Sequence, residues 1–106
     1  MFARTVTVNL KANSAAEFTR TLENQIIPLL RKQKGFQDEI TLLGQQGNEA
    51  VAISFWDQTQ DADAYEREVY PEVLKALAKI VDGTPRVGSH EVSNSTVHKI
   101  AARVAA

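Results

Sequence analysis

The sequence contains no cysteine, which removes disulfides, thiolate metal sites and cysteine nucleophiles from consideration. It also has no apolar run near the roughly 20 residues that a membrane-spanning helix requires. Its first residues lack the charged-then-apolar pattern of a secretion signal. We therefore expect a cytoplasmic protein without a membrane partner.

An excess of charge of one sign is absent as well. Twelve Lys and Arg against thirteen Asp and Glu give a net charge of -1, whereas nucleic-acid-binding domains carry a basic surface. The compact basic stretch at residues 31–34 lies where a helix is expected to end, and cations there complement the helix dipole. We therefore predict no nucleic-acid partner.

Motifs of hydrolases, nucleotide-binding proteins and metalloproteins are missing too. The sequence has neither the G-x-S-x-G turn of serine hydrolases nor a G-x-G-x-x-G or phosphate-binding loop. Its two histidines, His90 and His98, are not spaced as metal ligands. We therefore predict neither a metal nor a cofactor.

What the sequence does contain is a set of short alternating segments. At 106 residues it has room for one domain, residues 1–106, in which 93–106 form a C-terminal extension. Val6, Val8 and Leu10 alternate with polar residues, which predicts a first strand. The other predicted strands cover residues 40–43, 50–56 and 87–92, and the glycine-rich turn at 44–48 makes the middle two a hairpin.

Two amphipathic helices are expected between these strands. The first begins at a capping box, Ser14 to Glu17, carries apolar residues at helical spacing and ends near Gly35. The second begins at residues 59–63 and stops at residues 82–85. Pro28 and Pro71 lie inside these helices and should kink or divide them. The order strand–helix–strand–strand–helix–strand predicts an α+β, ferredoxin-like βαββαβ fold with a four-stranded antiparallel sheet.

The two faces of that sheet are expected to differ. On the first strand the apolar set Val6, Val8 and Leu10 should lie under the helices, and on the third strand Val51, Ile53 and Phe55. The opposite face then carries a mixed set: Thr7, Asn9, Ala52, Ser54, Trp56, Gly88, His90 and Val92. Two copies that close these faces together would form a homodimer and enclose the sole tryptophan.

Candidate site residues come mainly from this mixed face. His90 is the candidate catalytic base because its ordinary pKa lies near neutrality, and Asn9 is the candidate hydrogen-bond donor. Four more residues are predicted to bind a small aromatic substrate: Thr7, Ser54, Trp56 and Tyr65. The alternative interpretation is that these residues pack a dimer interface that contains no pocket. The sequence alone leaves both interpretations open.

Three stretches resemble the antibiotic-biosynthesis-monooxygenase-like group of dimeric α/β-barrel proteins. They are residues 27–30 leading to 34–36, residues 54–57, and Ala64-Tyr65 with Tyr70-Pro71. The resemblance spans Thr5 to about Val92 and implies the ferredoxin-like fold and a dimer. Some members of the group oxidise anthrones or quinols with oxygen and without a cofactor, so it also implies a small aromatic or quinol-like substrate.

Other members degrade haem, and the sequence departs from their pattern. Tyr65 falls near the position of their helix-two tryptophan, that helix contains no histidine, and Asn9 is displaced from their strand-one asparagine. We therefore do not predict haem degradation.

Two functions other than oxygenation share features with this sequence. The RNA-recognition motif has the same element order, but residues 50–56 lack its basic residue, glycine and paired aromatics. A non-catalytic homodimer that binds a small ligand or is purely structural remains the alternative to an oxygenase. The extension at 93–106 is predicted to pack across the dimer.

Overall fold

A computed structural model describes residues 1–100 of the chain. Its elements are β1 Phe2–Leu10, α1 Ala15–Thr21, a π-helical turn Leu22–Ile26, α2 Ile27–Arg31, β2 Phe36–Leu43, β3 Glu49–Trp56, α3 Thr59–Glu68, α4 Tyr70–Leu77 and β4 Val81–Glu91. The strands form a four-stranded antiparallel sheet in the order β2-β3-β1-β4. This order confirms the predicted ferredoxin-like α+β fold. No helix within the described range is long and apolar enough to cross a membrane.

Both predicted helices are divided at their prolines. Pro28 lies in the first turn of α2 and Pro71 in the first turn of α4. Proline lacks an amide N–H, and its ring crowds the carbonyl four residues earlier, so a regular α-helix cannot continue through it. Before Pro28 the chain widens into the π-helical turn, a form often found next to functional sites.

The predicted helix ends are only partly correct. Ser14 occupies the N-cap of α1, but its hydroxyl donates to the Ala12 carbonyl at 3.4 Å and does not cap the helix. Gly35 follows α2 with φ +79°, and a side chain at that position would overlap Asp61 of α3. Its carbonyl accepts a hydrogen bond of 2.8 Å from the Asp57 N–H. Glycine at residue 35 thus lets the entry to β2 pack closely against the start of α3.

Two strands begin earlier than predicted. β2 starts at Phe36, and β4 starts at Val81. The pairing of β4 with β1 shifts between Thr7↔Arg86 and Asn9↔Asp82, so residues 83–85 form a bulge. Gly83 has φ +76°. A glycine and a proline are tolerated there because β4 is an edge strand, so the predicted helix stop lies inside a strand.

The helices cover one face of the sheet, called here the covered face; the other is the open face. The predicted orientation of β1 is correct, and Val8 and Leu10 are buried under the helices. The predicted orientation of β3 is wrong. The cross-strand pairs Val6↔Ala52 and Arg4↔Ser54 place Ala52, Ser54 and Trp56 on the covered face. The residues predicted there lie instead on the open face: Val51, Ile53 and Phe55.

The reason lies in the size of the β3 side chains. The alanines at 50 and 52 leave space for the helices to pack close to the sheet, and Trp56 fills the core with 0% of its surface exposed. Most of the remaining core comes from the helices: Phe18, Leu22, Ile26, Leu30, Ala62, Tyr65, Val73 and Leu77.

The C-terminal extension begins after β4. The Val92 N–H donates to the Met1 carbonyl at 3.0 Å. Farther on, His98 pairs with Asp38, and its ring lies 6.1 Å from that of Phe55, so it reaches the open face. That the extension packs across a dimer stays a prediction, and residues 101–106 of it lie outside the described residues.

Candidate ligand-binding cavity

A cavity of about 50 Å³ lies between the helices and the covered face. Its helical wall is apolar and is formed by Phe18, Leu22, Ile26, Leu30, Val73 and Leu77. Val6, Val8 and Ala52 form part of its floor. Roughly 150 Å³ holds a benzene molecule, so a ring-sized ligand requires some wall side chains to move.

A row of polar residues crosses the floor of this cavity. Ser54 on β3 pairs with Arg4 on β1 and with Glu39 on β2, and all three line the cavity. Because neighbouring strands lie about 4.8 Å apart, the α-carbons of Arg4 and Glu39 are separated by roughly 10 Å. The row therefore places a guanidinium at one end and a carboxylate at the other.

Arg4 is buried, with only 4% of its surface exposed. Its Nη2 donates to Glu66 Oε1 at 3.3 Å. Its Cζ lies 4.2 Å from the ring centroid of Tyr70 and 5.4 Å from that of Tyr65, which are cation–π distances. Its Nε has no hydrogen-bond partner among residues 1–100. Part of this cation is thus stabilised by aromatic rings, and one of its donors is available to a ligand.

Two tyrosines stand beside Arg4 at the cavity wall. Burial raises the pKa of Tyr65 to about 12, and the charge of Arg4 offsets part of that effect. Burial also raises the pKa of Tyr70. The charge of Arg4 and a hydrogen bond with it lower this pKa by less, and no other described residue is a hydrogen-bond partner of the buried Tyr70 hydroxyl. Both phenols are therefore neutral at physiological pH and act as donors rather than bases.

Glu39 is the carboxylate of the cavity. The Thr41 hydroxyl donates to its Oε2 at 2.6 Å. Burial raises the pKa of Glu39, and the Thr41 hydrogen bond lowers it by less. A carboxylate whose pKa is raised is a stronger general base than an ordinary one. No group of three or more His, Cys, Asp or Glu in the described chain could hold a metal ion.

Ser54 and Trp56 lie beneath the helices, so the prediction that both belong to the open face is wrong. The Trp56 indole N–H donates to Ser54 Oγ at 2.9 Å, and the Ser54 hydroxyl lies 3.5 Å from the Arg4 carbonyl. Trp56 itself does not line the cavity but contacts Tyr65, which does, with ring centroids 5.2 Å apart. The indole therefore supports the cavity wall from behind.

Tyr65 lines the cavity as predicted for a substrate-binding residue, whereas the remaining three predicted site residues lie on the open face. His90 and Asn9 are exposed and Thr7 is half-buried. His90 pairs with Ala3, six residues along β1 from Asn9, so about 20 Å separates them within one chain. The structure therefore does not bring His90 and Asn9 together, and their roles stay predictions.

Sequence reasoning missed three residues of the cavity: Arg4, Glu39 and Tyr70. The sequence did contain one indication of Arg4. In the alternating pattern of β1, Arg4 lies on the same face as Val6 and Val8, so a charged side chain occupies an otherwise apolar face. Glu39 was hidden because β2 was predicted to begin at residue 40. Tyr70 lies at the break between α3 and α4, where helical periodicity carries no information.

A surface groove adjoins the cavity beside the π-helical turn. Leu22 and Glu39 line both spaces, and the groove also includes Glu23 and Ile27 of the helical segment and Leu43 of β2. Leu22 and Glu39 therefore lie where the cavity and the groove adjoin.

No family model matches the sequence, and no curated protein matches it. Solved structures do match. A monooxygenase from the gene ActVA-Orf6 of Streptomyces coelicolor, in complex with Nanaomycin D, has a TM-score of 0.77 and 14% identity over 92% of each chain. SnoaB, a cofactor-independent oxygenase of Streptomyces nogalater, has a TM-score of 0.75 and 16% identity over 92% of this chain and 97% of its own.

A third structure is a Bordetella bronchiseptica protein provisionally named an antibiotic biosynthesis monooxygenase. It has a TM-score of 0.75 and 12% identity over 88% of this chain and 97% of its own. At 12% to 16% identity these likenesses establish the architecture and not the chemistry. The chain thus has the ferredoxin-like α+β fold of the antibiotic-biosynthesis-monooxygenase-like proteins, as its sequence resemblance predicted.

Proposed function

We propose that this protein is a cofactor-independent monooxygenase that acts on a small aromatic or quinol-like substrate in the cavity. The observation that supports this proposal is the row of Glu39, Ser54 and Arg4 inside an otherwise apolar cavity. Apolar walls suit an aromatic ring, and a few placed polar groups orient it. The two Streptomyces oxygenases of the same fold support the reaction class.

Glu39 is the proposed base in place of His90. A cofactor-free oxygenation begins when the substrate loses a proton, since the resulting anion can donate electrons to oxygen. Glu39 lines the cavity and its pKa is raised by burial, whereas His90 is exposed on the other side of the sheet.

The charge of Arg4 favours the substrate anion. Its guanidinium lies at the opposite end of the row, buried among aromatic rings, where little solvent screens it. Electrostatic stabilisation of developing charge in a water-poor site is usually a large part of catalysis.

The proposed reaction balances without another reactant. A substrate methylene group reacts with one O₂ and becomes a carbonyl, while its two hydrogens leave with the second oxygen atom as water. All four electrons that reduce O₂ come from the two C–H bonds.

Oxygen uptake tests the proposal. The purified protein is supplied with a hydroxyanthrone, which carries the methylene group that this reaction requires, in an oxygen-electrode cell, and the rate without protein is subtracted. We expect uptake above that rate, and a loss of about 100-fold or more in Glu39→Gln. Glu68→Gln, on the exposed surface of α3, is the matched control and should keep the wild-type rate.

His90→Ala separates the two candidate bases. Loss of uptake in His90→Ala with normal uptake in Glu39→Gln would move the site to the open face. Saturable binding of the hydroxyanthrone without any uptake would instead favour the non-catalytic, ligand-binding homodimer.

A further inference from the structure

Two buried hydrogen-bond donors meet at the Arg4 end of the cavity. They are Arg4 Nε and the Tyr70 hydroxyl; apart from the contact between Arg4 and Tyr70 themselves, neither has a partner among residues 1–100. A buried donor left unpaired destabilises the folded state, and such groups are rare in folded proteins. Both residues line the cavity, so a ligand there could satisfy both donors.

The chemistry of these donors indicates what kind of group would bind. Arginine is permanently charged and binds carboxylates with short, charge-assisted hydrogen bonds. Glu66 already accepts from Nη2 but is half-exposed, with 49% of its side-chain surface accessible. It therefore neutralises Arg4 only in part and leaves the Nε side of the guanidinium open.

We propose that the cavity binds a ring-bearing carboxylate, whose two oxygens accept from Arg4 Nε and from the Tyr70 hydroxyl. This inference rests on the proposed function, because it names the chemical class of the substrate that the cavity takes. The ring extends from Arg4 over Ser54, and its far edge points to Glu39 two strands away.

The negative groups around the cavity are consistent with this orientation. Glu39 lies roughly 10 Å along the row from Arg4, so it repels the carboxylate least at the Arg4 end. Glu66 contacts the guanidinium at another nitrogen. A neutral quinol would satisfy fewer of the donors around Arg4 and would add no negative charge to the partial neutralisation that Glu66 provides.

A pair of isosteric ligands tests the inference. The full-length protein is titrated at pH 7 with 2-naphthoate and with 2-naphthamide, which differ in charge but hardly in shape. Binding is followed by calorimetry and by the fluorescence of Trp56, the sole tryptophan, which contacts the cavity residue Tyr65. We expect naphthoate to bind at least tenfold more tightly, because hydrogen bonds from Arg4 to a charged oxygen are stronger than those to a neutral amide oxygen.

Two variants test whether Arg4 and Tyr70 cause the preference for naphthoate over naphthamide. Arg4→Met should remove it, and Tyr70→Phe should reduce it several-fold. Tyr70→Phe keeps the ring against which Arg4 packs, so it should stay folded; that variant decides the matter if Arg4→Met does not fold. Arg86→Met is the matched control, because Arg86 is an exposed arginine outside the cavity and should keep the preference.

Equal binding of the two ligands, binding of neither, or an unchanged preference in Tyr70→Phe and Arg4→Met would overturn the inference. These outcomes are distinguishable from failure of the proposed function. Naphthoate binding without oxygen uptake from any quinol or anthrone would leave a carboxylate-binding protein that is not an oxygenase. Oxygen uptake without preference for naphthoate would leave an oxygenase of neutral substrates.

Discussion

Each face of the sheet includes side chains that a simple two-layer fold would place on the other face. The covered face, under the helices, includes buried Arg4 and Ser54. On the open face, Ile40 and Leu42 of β2 keep 49% and 53% of their surfaces exposed. Polar groups thus lie where apolar ones are expected, and apolar groups lie where water is expected.

The polar residues of the covered face and the apolar residues of the open face need different partners. A buried cation that one half-exposed carboxylate neutralises only in part favours a polar ligand, whereas a row of exposed apolar side chains favours an apolar cover. The covered face is therefore the better place to look for chemistry. Self-association through the open face stays a prediction.

The largest difference between the faces should appear on truncating neighbouring aromatics of β3. Trp56→Ala leaves a cavity in the core and should lower the free energy of unfolding by about 3–5 kcal/mol. Phe55→Ala, on the half-buried open face, should cost about 1 kcal/mol. Urea denaturation followed by circular dichroism measures both.

Protein concentration provides the control for this comparison. If the open face is covered by a second copy, the loss in Phe55→Ala will grow as the protein concentration is raised. Equal losses in the two variants at every concentration would contradict the assignment of Trp56 to the core.

A smaller effect is expected from Tyr65 at alkaline pH. Its pKa is about 12 in the folded protein against 10.0 ordinarily, so the unfolded chain loses the proton first as the pH rises. The stabilisation is complete below pH 10 and is lost as the pH climbs to about 12, with a total loss of about 2–3 kcal/mol. Urea denaturation at a series of pH values, followed by Trp56 fluorescence, measures it.

Tyr65→Phe cannot ionise and should show a shallower alkaline loss than the wild type. Some loss should remain, because burial raises the pKa of Tyr70 as well. Identical alkaline profiles for Tyr65→Phe and the wild type would show that the Tyr65 phenol is solvated in the folded state.

The fold was predictable because its signals are local. Alternation identified β1, glycines marked the β2–β3 turn, and Pro28 and Pro71 divided the helices where they stand. The start of β4 was missed because Gly83 and Pro85 are turn residues that an edge-strand bulge also accepts.

The candidate site was less predictable because it depends on the orientation of β3. Alternation alone does not say which of the two sets of alternate residues on β3 faces the helices. The set Val51, Ile53 and Phe55 is bulkier than the set with Ala52 and Ser54, so it was predicted to be the core. The helices instead pack on the smaller residues and on Trp56. That choice carries Ser54 to the cavity and leaves the open-face residues Thr7, Asn9 and His90 outside it.

The smallest predicted effect is a change in stability on replacing Glu39, and it tests the polar residues of the covered face. Burial raises its pKa above 4.5, so the folded protein holds this proton to higher pH than the unfolded chain, and stability is lost as the pH rises through the folded value. Glu39→Gln should therefore be more stable than the wild type at pH 7, but not at pH 4. The gain should be at most about 0.5 kcal/mol because the carboxylate is partly solvated. Paired urea titrations at the two pH values measure it, with Glu68→Gln as the control.

A variant that gains stability at pH 7 while losing oxygen uptake would mark Glu39 as a residue kept for chemistry at the expense of stability. Lower stability at pH 7 would mean that the ionised carboxylate is held by favourable contacts, and Glu39 would then be a poor base.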